Sequence, residues 1–406
     1  MSECPDLNYR SADLHIVIIG AGLGGLCLAQ GLQRRGISFD VYERDTAPDS
    51  RPQGFRIKID QTGQQAIEAC LPPALNALFR DSCAIPVDGV NLIGPDLEPV
   101  SDRWVASWQR AGGDDAPVGR VEDLNADRLA MRKVLLRGIE AHVHLGRGFT
   151  GYERNESGNA WRAKFDDGST AEADVLVAAD GVNSTLRALR LPGVAPVDTG
   201  STCIYGKTLF TAATAAQIAP LFLARTSVAF ADRFAVIVDP MKFRQPLGDY
   251  LYWGVIGPND RLNPASDPRG HAHATVLSHT AGWHPGFRAL FEGAEPSDVA
   301  MLPIRTMNAP PAWTSDGVTV LGDAIHVMSP AGGLGANTAL HDAAMLAERL
   351  GTAAIKGTPV LAAVADYEAA MRDFAREAIR QSNDGAALLF GAVAAPASET
   401  AGLAKS

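Results

Sequence analysis

The chain has 406 residues, 36 basic and 46 acidic side chains and a formal net charge of −10. This length allows two domains with sizeable cores, and the acidic balance argues against nonspecific nucleic-acid binding. Five cysteines (Cys4, Cys27, Cys70, Cys83 and Cys203) sit at wide spacings without a C-x-x-C pair, which argues against a disulfide framework or a zinc site. The pairs His142/His144 and His271/His273 lack further ligands at metal spacing. The polar N-terminus has no secretory pattern, and no apolar run is long enough to span a bilayer. The expectation is a soluble cytoplasmic protein that takes no nucleic acid, metal or membrane as partner.

In chain order, Leu14 to Ile19 is a continuous apolar run suited to a strand buried on both faces. GAGLGG follows, then a helix over Leu23 to Arg35 ended by Gly36, then a strand from Ile37 to Tyr42. A helix is expected over Asn125 to Ile139, with Asn125 or Asp127 as its cap. His142 to Glu153 and Trp161 to Phe165 alternate as strands, and Asp167-Gly168 marks a hairpin. Asp174 to Ala179 is another buried strand. From Thr202 to Gly257 strands dominate, at Cys203–Phe210, Ser227–Phe230, Phe234–Asp239 and Tyr250–Gly257, with Val87–Ile93 a candidate for the same sheet. Helix is expected there only near Thr214 to Leu223. Val318 to Leu321 reads as a short buried strand, and helical spacing resumes after Gly335. Val360 to Gln381 is a further helix.

Three places carry chemistry. Gly20-Ala21-Gly22-Leu23-Gly24-Gly25 matches G-x-G-x-x-G between a strand and a helix, where backbone can approach a pyrophosphate. Glu43 ends the second strand about twenty residues on, where a carboxylate can bond a ribose hydroxyl, so FAD or NAD fits better than NADP as resident cofactor. Asp180-Gly181 follows a strand and precedes Asn183-Ser184-Thr185. The stretch LGDAIHVMSPAGGLGANTALHD, from Leu321 to Asp342, places an acid, a proline and glycines between strand and helix. Backbone can come close to a ligand there, and free helix N–H groups suit a polar ring with partial negative charge.

GAGLGG with Glu43, Arg128 with Met131 and Leu135 behind it, ADGVNSTLR and GDAIH…P…GGLGAN stand in the order and spacing that resemble the class A FAD-dependent aromatic monooxygenases, the 4-hydroxybenzoate hydroxylase-like flavoproteins. The length and the YEAAMRDFAREAIRQSN helix look most like tetracycline-inactivating monooxygenases and natural-product hydroxylases of secondary metabolism. The resemblance implies an α/β fold: a Rossmann-like FAD-binding domain (1–72, 112–198 and 312–352), an inserted strand-rich substrate domain (73–111 and 199–311), a C-terminal helical segment (353–392) and a disordered tail (393–406). It implies that Gly20, Gly22, Leu23 and Gly25 cradle the FAD pyrophosphate, Glu43 binds the adenosine ribose and Arg44 lies against adenine or phosphate. Arg128 would contact the FAD linker, Asp180 and Gly181 belong to the motif tied to FAD and NAD(P)H use, and Asp323 would hold the ribityl chain. Pro330, Gly333, Gly335, Ala336 and Asn337 would line the isoalloxazine. Arg56, or Arg51, would touch FAD, NAD(P)H or substrate from the Gln53-Gly54-Phe55-Arg56 loop.

The implied activity is an NAD(P)H- and O2-dependent hydroxylation of an aromatic or polyketide- or alkaloid-like small molecule through a C4a-hydroperoxyflavin. A helix N-terminus near the flavin would favour its anionic reduced form, and a closed apolar chamber would exclude water. Tyr205, Arg225, Phe234, Tyr250 and Trp253 are candidates for the chamber wall, of which alternate residues face inward. His326, adjacent to Asp323, reads as structural rather than as a base, and no catalytic residue is assigned. Two other readings stand beside this one: another FAD oxidoreductase of the same fold, a reductase or halogenase, and a non-catalytic binding protein. Tryptophans 104, 108, 161, 253, 283 and 313 never fall two apart, so the W-x-W pattern of the halogenases is missing. The complete flavin-lining loop argues against a mere escort.

Overall fold

The structure, a computed structural model, describes residues 14–47, 50, 54–101, 121–245, 247–262 and 271–390. Cys4, Arg51, Gln53, Trp104, Trp108 and the expected tail from 393 lie outside them.

The chain runs β1 (His15–Ile19), α1 (Leu23–Arg34), β2 (Ser38–Glu43), β3 (Arg56–Ile59), α2 (Gln61–Cys70), α3 (Pro73–Ser82) and β4 (Val90–Ile93). Next come β5 (Leu124–Asp127), α4 (Arg128–Leu136), β6 (Val143–Leu145), β7 (Phe149–Arg154), β8 (Trp161–Phe165), β9 (Thr170–Ala173), β10 (Val175–Ala178) and α5 (Thr185–Arg190). A strand-rich stretch follows with β11 (Val197–Leu209), α6 (Ala212–Gln217), α7 (Leu221–Ala224), β12 (Thr226–Ala231), β13 (Phe234–Met241) and β14 (Tyr250–Pro258). It ends with α8 (Asn259–Leu262), α9 (Ala272–His279), α10 (Pro285–Glu292) and β15 (Ala300–Thr306), and the chain closes with β16 (Val318–Val320), α11 (Gly335–Lys356) and α12 (Val360–Phe390).

The first layer is a parallel five-stranded sheet in the order β16-β10-β1-β2-β6. Its strands on this side are apolar because both faces are covered: every residue of β10 and of the edge strand β16 is buried, as are four of the five in β1. Helices α1 and α11 pack together beside it, and Tyr367 of α12 donates its hydroxyl to the Val320 carbonyl at 2.9 Å. This is the Rossmann-like half of an α/β fold. Helix α3, grouped by sequence with the strand-rich unit, packs Phe79 into this first core.

The second layer is a six-stranded sheet, β15-β11-β14-β13-β12-β4, antiparallel except for β4 beside β12. Pro303 is tolerated in β15 because that strand is an edge. One face, through Ile204, Val236, Val238, Leu251, Trp253 and Val255, packs on Phe222 of α7 and Phe287 and Phe291 of α10. The opposite face, through Cys203, Ile237, Tyr252 and Ile256, looks toward the parallel sheet. Among the described residues no helix is long and apolar enough to cross a membrane.

The expected helix from Asn125 starts at Arg128 instead. Residues 124–127 form β5, paired antiparallel with the RIKI strand β3 from Arg56↔Asp127 to Ile59↔Leu124. A strand partner remote in sequence overrides the local helical pattern. Asp127 caps α4, accepting the Ala130 N–H at 2.8 Å, while Asn125 accepts from Arg56 Nε at 3.1 Å.

The β1–α1 turn depends on close backbone approach. A Cβ on Gly25 would lie 2.1 Å from the Gly20 carbonyl oxygen. Gly25→Ala therefore forces helix and strand apart, and is expected to cost about 1–3 kcal/mol of stability. A urea titration should show a lowered midpoint at unchanged slope; an unchanged midpoint would refute this reading of the turn.

Candidate functional site

Strands β16, β10 and β1 are neighbours, so the loops at their carboxyl ends open on one edge of the sheet. Between that edge and the second sheet lies a cavity of about 350 Å3. Of the residues expected at the site, Gly22, Leu23, Gly25, Arg56, Arg128, Gly181, Asp323, Pro330, Gly333, Gly335 and Ala336 line it. Gly20, Glu43, Arg44, Asp180 and Asn337 do not.

Two helices begin at this cavity. Neither α1, whose N-cap is Gly22, nor α11, whose N-cap is Leu334, has a side-chain cap or an acid in its first turn. Their leading N–H groups are left to whatever fills the space. Between them Asp323 is exposed in a segment that is otherwise buried from Val318 to Ser329, so its carboxylate opens on the cavity. Arg128 faces it across the space. Burial pulls the Arg128 pKa below the ordinary arginine value, and the Asp323 charge opposes that pull.

The expected residues off the cavity hold its walls. Glu43 accepts the Ala21 N–H at 2.9 Å and the Asp45 N–H at 3.0 Å, and Arg132 donates through Nε to the Ala21 carbonyl at 3.1 Å. Arg44 is exposed. Asp180 accepts the Thr185 N–H at 2.9 Å; its second oxygen is buried without a hydrogen-bond partner, and desolvation raises its pKa. Asn337, expected to line a ring, is turned away from the cavity. Its amide donates to the carbonyls of Lys58 and Gly333 and accepts the Asp60 N–H, which ties the start of α11 to β3 and α2. Arg187 donates to the carbonyls of Val182 at 3.1 Å and Ala324 at 3.0 Å, joining the loops after β10 and β16.

His326 is fully buried and bonds Asp342 at 2.5 Å; the same Asp342 oxygen accepts the Gly322 N–H at 3.0 Å. Gly322 turns through φ +62°, as glycine readily does, and this bond fixes the turn. The pair thus holds the turn that precedes Asp323.

The far wall comes from alternate residues of the second sheet. Tyr205 and Tyr250 share strand parity with the wall residues Cys203 and Tyr252 but do not line this cavity, while Phe234 and Trp253 point into the sheet's own core; Arg225 is exposed beside Gly89. Tyr252, not singled out from sequence, lines the cavity with Cys203, Ile237, Ile256 and Met328. Arg56 reaches this wall and pairs through Nε with the buried Asp239 at 3.0 Å. Burial is the main cause of a raised Tyr252 pKa, and it pushes the Cys203 thiol up to about 12, so both groups stay protonated. Lys58, Arg132, Arg187, Asp239, Tyr252 and Asp342 were not read as site residues. Arg132 stands one helical turn after Arg128, which is the signal that could have found it.

Burial alone would hold His326 neutral, but the adjacent Asp342 carboxylate outweighs it and raises its pKa above the ordinary histidine value. Its stabilising contribution should then be complete below pH about 6.5 and fade as pH rises through the raised folded value. We expect the urea midpoints of wild type and His326→Gln to differ most at low pH and to converge on the alkaline side; a constant gap would remove the charged pair.

A model of the FAD binding domain matches residues 125–382, and a model of the NAD(P)-binding Rossmann-like domain matches 18–57. The dual O-methyltransferase/FAD-dependent monooxygenase CTB3 of Cercospora beticola is 34% identical, covering 94% of this chain and 47% of its own length. The chain thus spans about half the length of such curated relatives. The FAD-dependent urate hydroxylase of Mycolicibacterium vanbaalenii is 26% identical, covering 90% of this chain and 86% of its own. Among solved structures, a candidate FAD-containing monooxygenase from Photorhabdus luminescens is similar at a TM-score of 0.78 and 28% identity, covering 93% of this chain and 99% of that one. The chain belongs to the FAD-binding domain family, and its relatives are FAD-dependent monooxygenases of the class A kind.

Proposed function

We propose that the protein is an NAD(P)H- and O2-dependent FAD monooxygenase that hydroxylates a planar, oxygen-bearing aromatic molecule. The observation that carries this reading is one cavity with two faces. Two uncapped helix N-termini and Asp323 form the first, and the apolar side of a second sheet forms the other.

The residues fit FAD. A Cβ built on Gly22 meets nothing nearer than 3.9 Å, which leaves room for a phosphate at the start of α1. Gly20, Gly22, Leu23 and Gly25 would hold the pyrophosphate there, with Arg128 on the linker. Glu43 keeps lone pairs for a ribose hydroxyl beyond the two N–H groups it already accepts. Arg44 would reach the adenine end from outside. Asp323 would bond the ribityl hydroxyls, with Asp180 and Gly181 beside them. Pro330, Gly333, Gly335 and Ala336 would line the ring, and Asn337 would fix that loop from behind.

When bound, FAD supplies two-electron chemistry between a nicotinamide and O2. The chain's part is to position and to keep water out. Cys203, Ile237, Ile256 and Met328 make the substrate side apolar. Arg56, fixed by Asp239, and the protonated Tyr252 hydroxyl are polar groups on that wall suited to an oxygen of the substrate ring. The urate hydroxylase among the relatives acts on a substrate of that description. The four described cysteines are unpaired, in keeping with a cytoplasmic setting.

The purified protein should show flavin absorption, oxidise NADH or NADPH faster when a phenolic aromatic is added, and place one atom of isotope-labelled O2 in the product. Failure to bind FAD would overturn the proposal; turnover without oxygen incorporation would move it to another FAD oxidoreductase. Asp323→Ala should weaken FAD binding by about 1.5–3 kcal/mol, roughly ten- to 150-fold, with unchanged far-ultraviolet circular dichroism. An unaltered FAD titration would remove the ribityl role.

A further inference from the structure

A second cavity, about 460 Å3, lies outside the first, and Arg128 lines both. Four cations border it: Arg128, Arg132, Lys133 and Lys207. Its two carboxylates are engaged. Asp127 accepts the Ala130 N–H and the Tyr250 hydroxyl, each at 2.8 Å, and Asp298 lies 3.5 Å from Lys207 Nζ. Arg132 is likewise held, by Ala21 and Glu43. Among the described residues, no side-chain hydrogen bond or ion pair occupies Arg128 or Lys133. The remaining wall is aromatic and apolar. Phe55 and Tyr250 stand beside Lys207, whose Nζ lies 4.6 Å from the Phe55 ring centre, Phe243 packs on Tyr250, and Leu209 and Leu247 are 49% and 46% exposed at the rim.

Positive charge in excess, flat rings and an apolar lip describe a site for an anion that carries planar groups. Resting on the proposed function, we propose that this outer cavity docks the diphosphate of NAD(P)H, with Lys207 and Lys133 on the phosphates and the nicotinamide end at the Arg128 wall. The volume suits part of a dinucleotide, so the remainder lies across the open rim. The two spaces share only Arg128, so the docked diphosphate leaves the lining of the first cavity untouched, and hydride transfer requires the flavin ring to leave the Pro330–Ala336 loop for the Arg128 side. A reductant that docks here needs no second dinucleotide fingerprint in the sequence.

The test uses the FAD-loaded protein. ADP-ribose, which has the diphosphate but no nicotinamide, is titrated calorimetrically into wild type, Lys207→Gln and Lys133→Gln. The exposed Lys133 guards against a folding defect at Lys207. We expect about tenfold weaker binding in each variant, a similar rise in KM for NAD(P)H, retained kcat at saturating reductant and unchanged FAD affinity. In wild type, added salt should weaken ADP-ribose binding. Unchanged ADP-ribose affinity in both variants would overturn the proposal, as would a rise in KM for the aromatic substrate alone. The titration needs no turnover, so it judges this site even if the wild type fails to oxidise NAD(P)H, which would instead defeat the functional reading.

Discussion

Three adjacent parallel strands, β16, β10 and β1, constrain everything at the site. They come from residues 318–320, 175–178 and 15–19, and no local rule relates those segments. Once paired in parallel, however, their carboxyl ends share an edge, and each ends in a loop with a distinct contribution: the glycine turn, Asp180-Gly181 and Gly322-Asp323. The loops are then fastened to one another by the protein alone. Arg187 bridges two of them, Glu43 and Arg132 hold the third at Ala21, and Asp342 pins Gly322. A site whose supports are this well bonded loses little freedom on filling, which is where preorganisation gains affinity.

The second sheet acts through the two-residue period of a strand. In β14, Trp253 enters the core against Phe291, while Tyr250 and Tyr252 face the other way. Tyr250 borders the outer cavity and Tyr252 the inner one, so a single strand face serves both spaces. Arg128, at the start of α4, is the side chain common to them. Its position follows from the β3–β5 pairing, since the Arg128 N–H donates to the Phe55 carbonyl at 2.8 Å. The small two-stranded ribbon thus sets the partition between an inner chamber and an outer docking space.

What could be read from sequence was local. The β1–α1–β2 unit, the Asp167-Gly168 hairpin and the strand before Gly322 announce themselves through apolar runs and turn residues within a few positions. What escaped depends on distant partners. Asn125 to Asp127 looked helical because Met131 and Leu135 continue a helical stripe, and only the RIKI strand makes them β5. Asn337 sat within the right loop, yet its side chain is claimed by Asp60, Lys58 and Gly333. Tyr252 stands between Tyr250 and Trp253 in a run of aromatics, and strand parity has no anchor until the sheet pairs. Phe234 and Trp253 fell on the core face for the same reason.

Two buried acid–base pairs flank the inner cavity, His326 with Asp342 on the Gly322-Asp323 side and Arg56 with Asp239 on the opposite wall. Buried pairs seldom repay their desolvation in stability, so their placement calls for another reason. The first has a geometric one, because the carboxylate that holds His326 also fixes Gly322, and through it the direction of Asp323. The second sits where an apolar wall would otherwise offer a substrate nothing but shape. Asp239 has no exposure and is itself bonded by the Thr226 hydroxyl, so it cannot follow a ligand. Any ligand group that bonds Arg56 would therefore be referred to the second sheet, while the orientation of Asp323 is referred to α11 in the first layer. The distance and angle between cofactor and substrate would then be set by how these two layers pack.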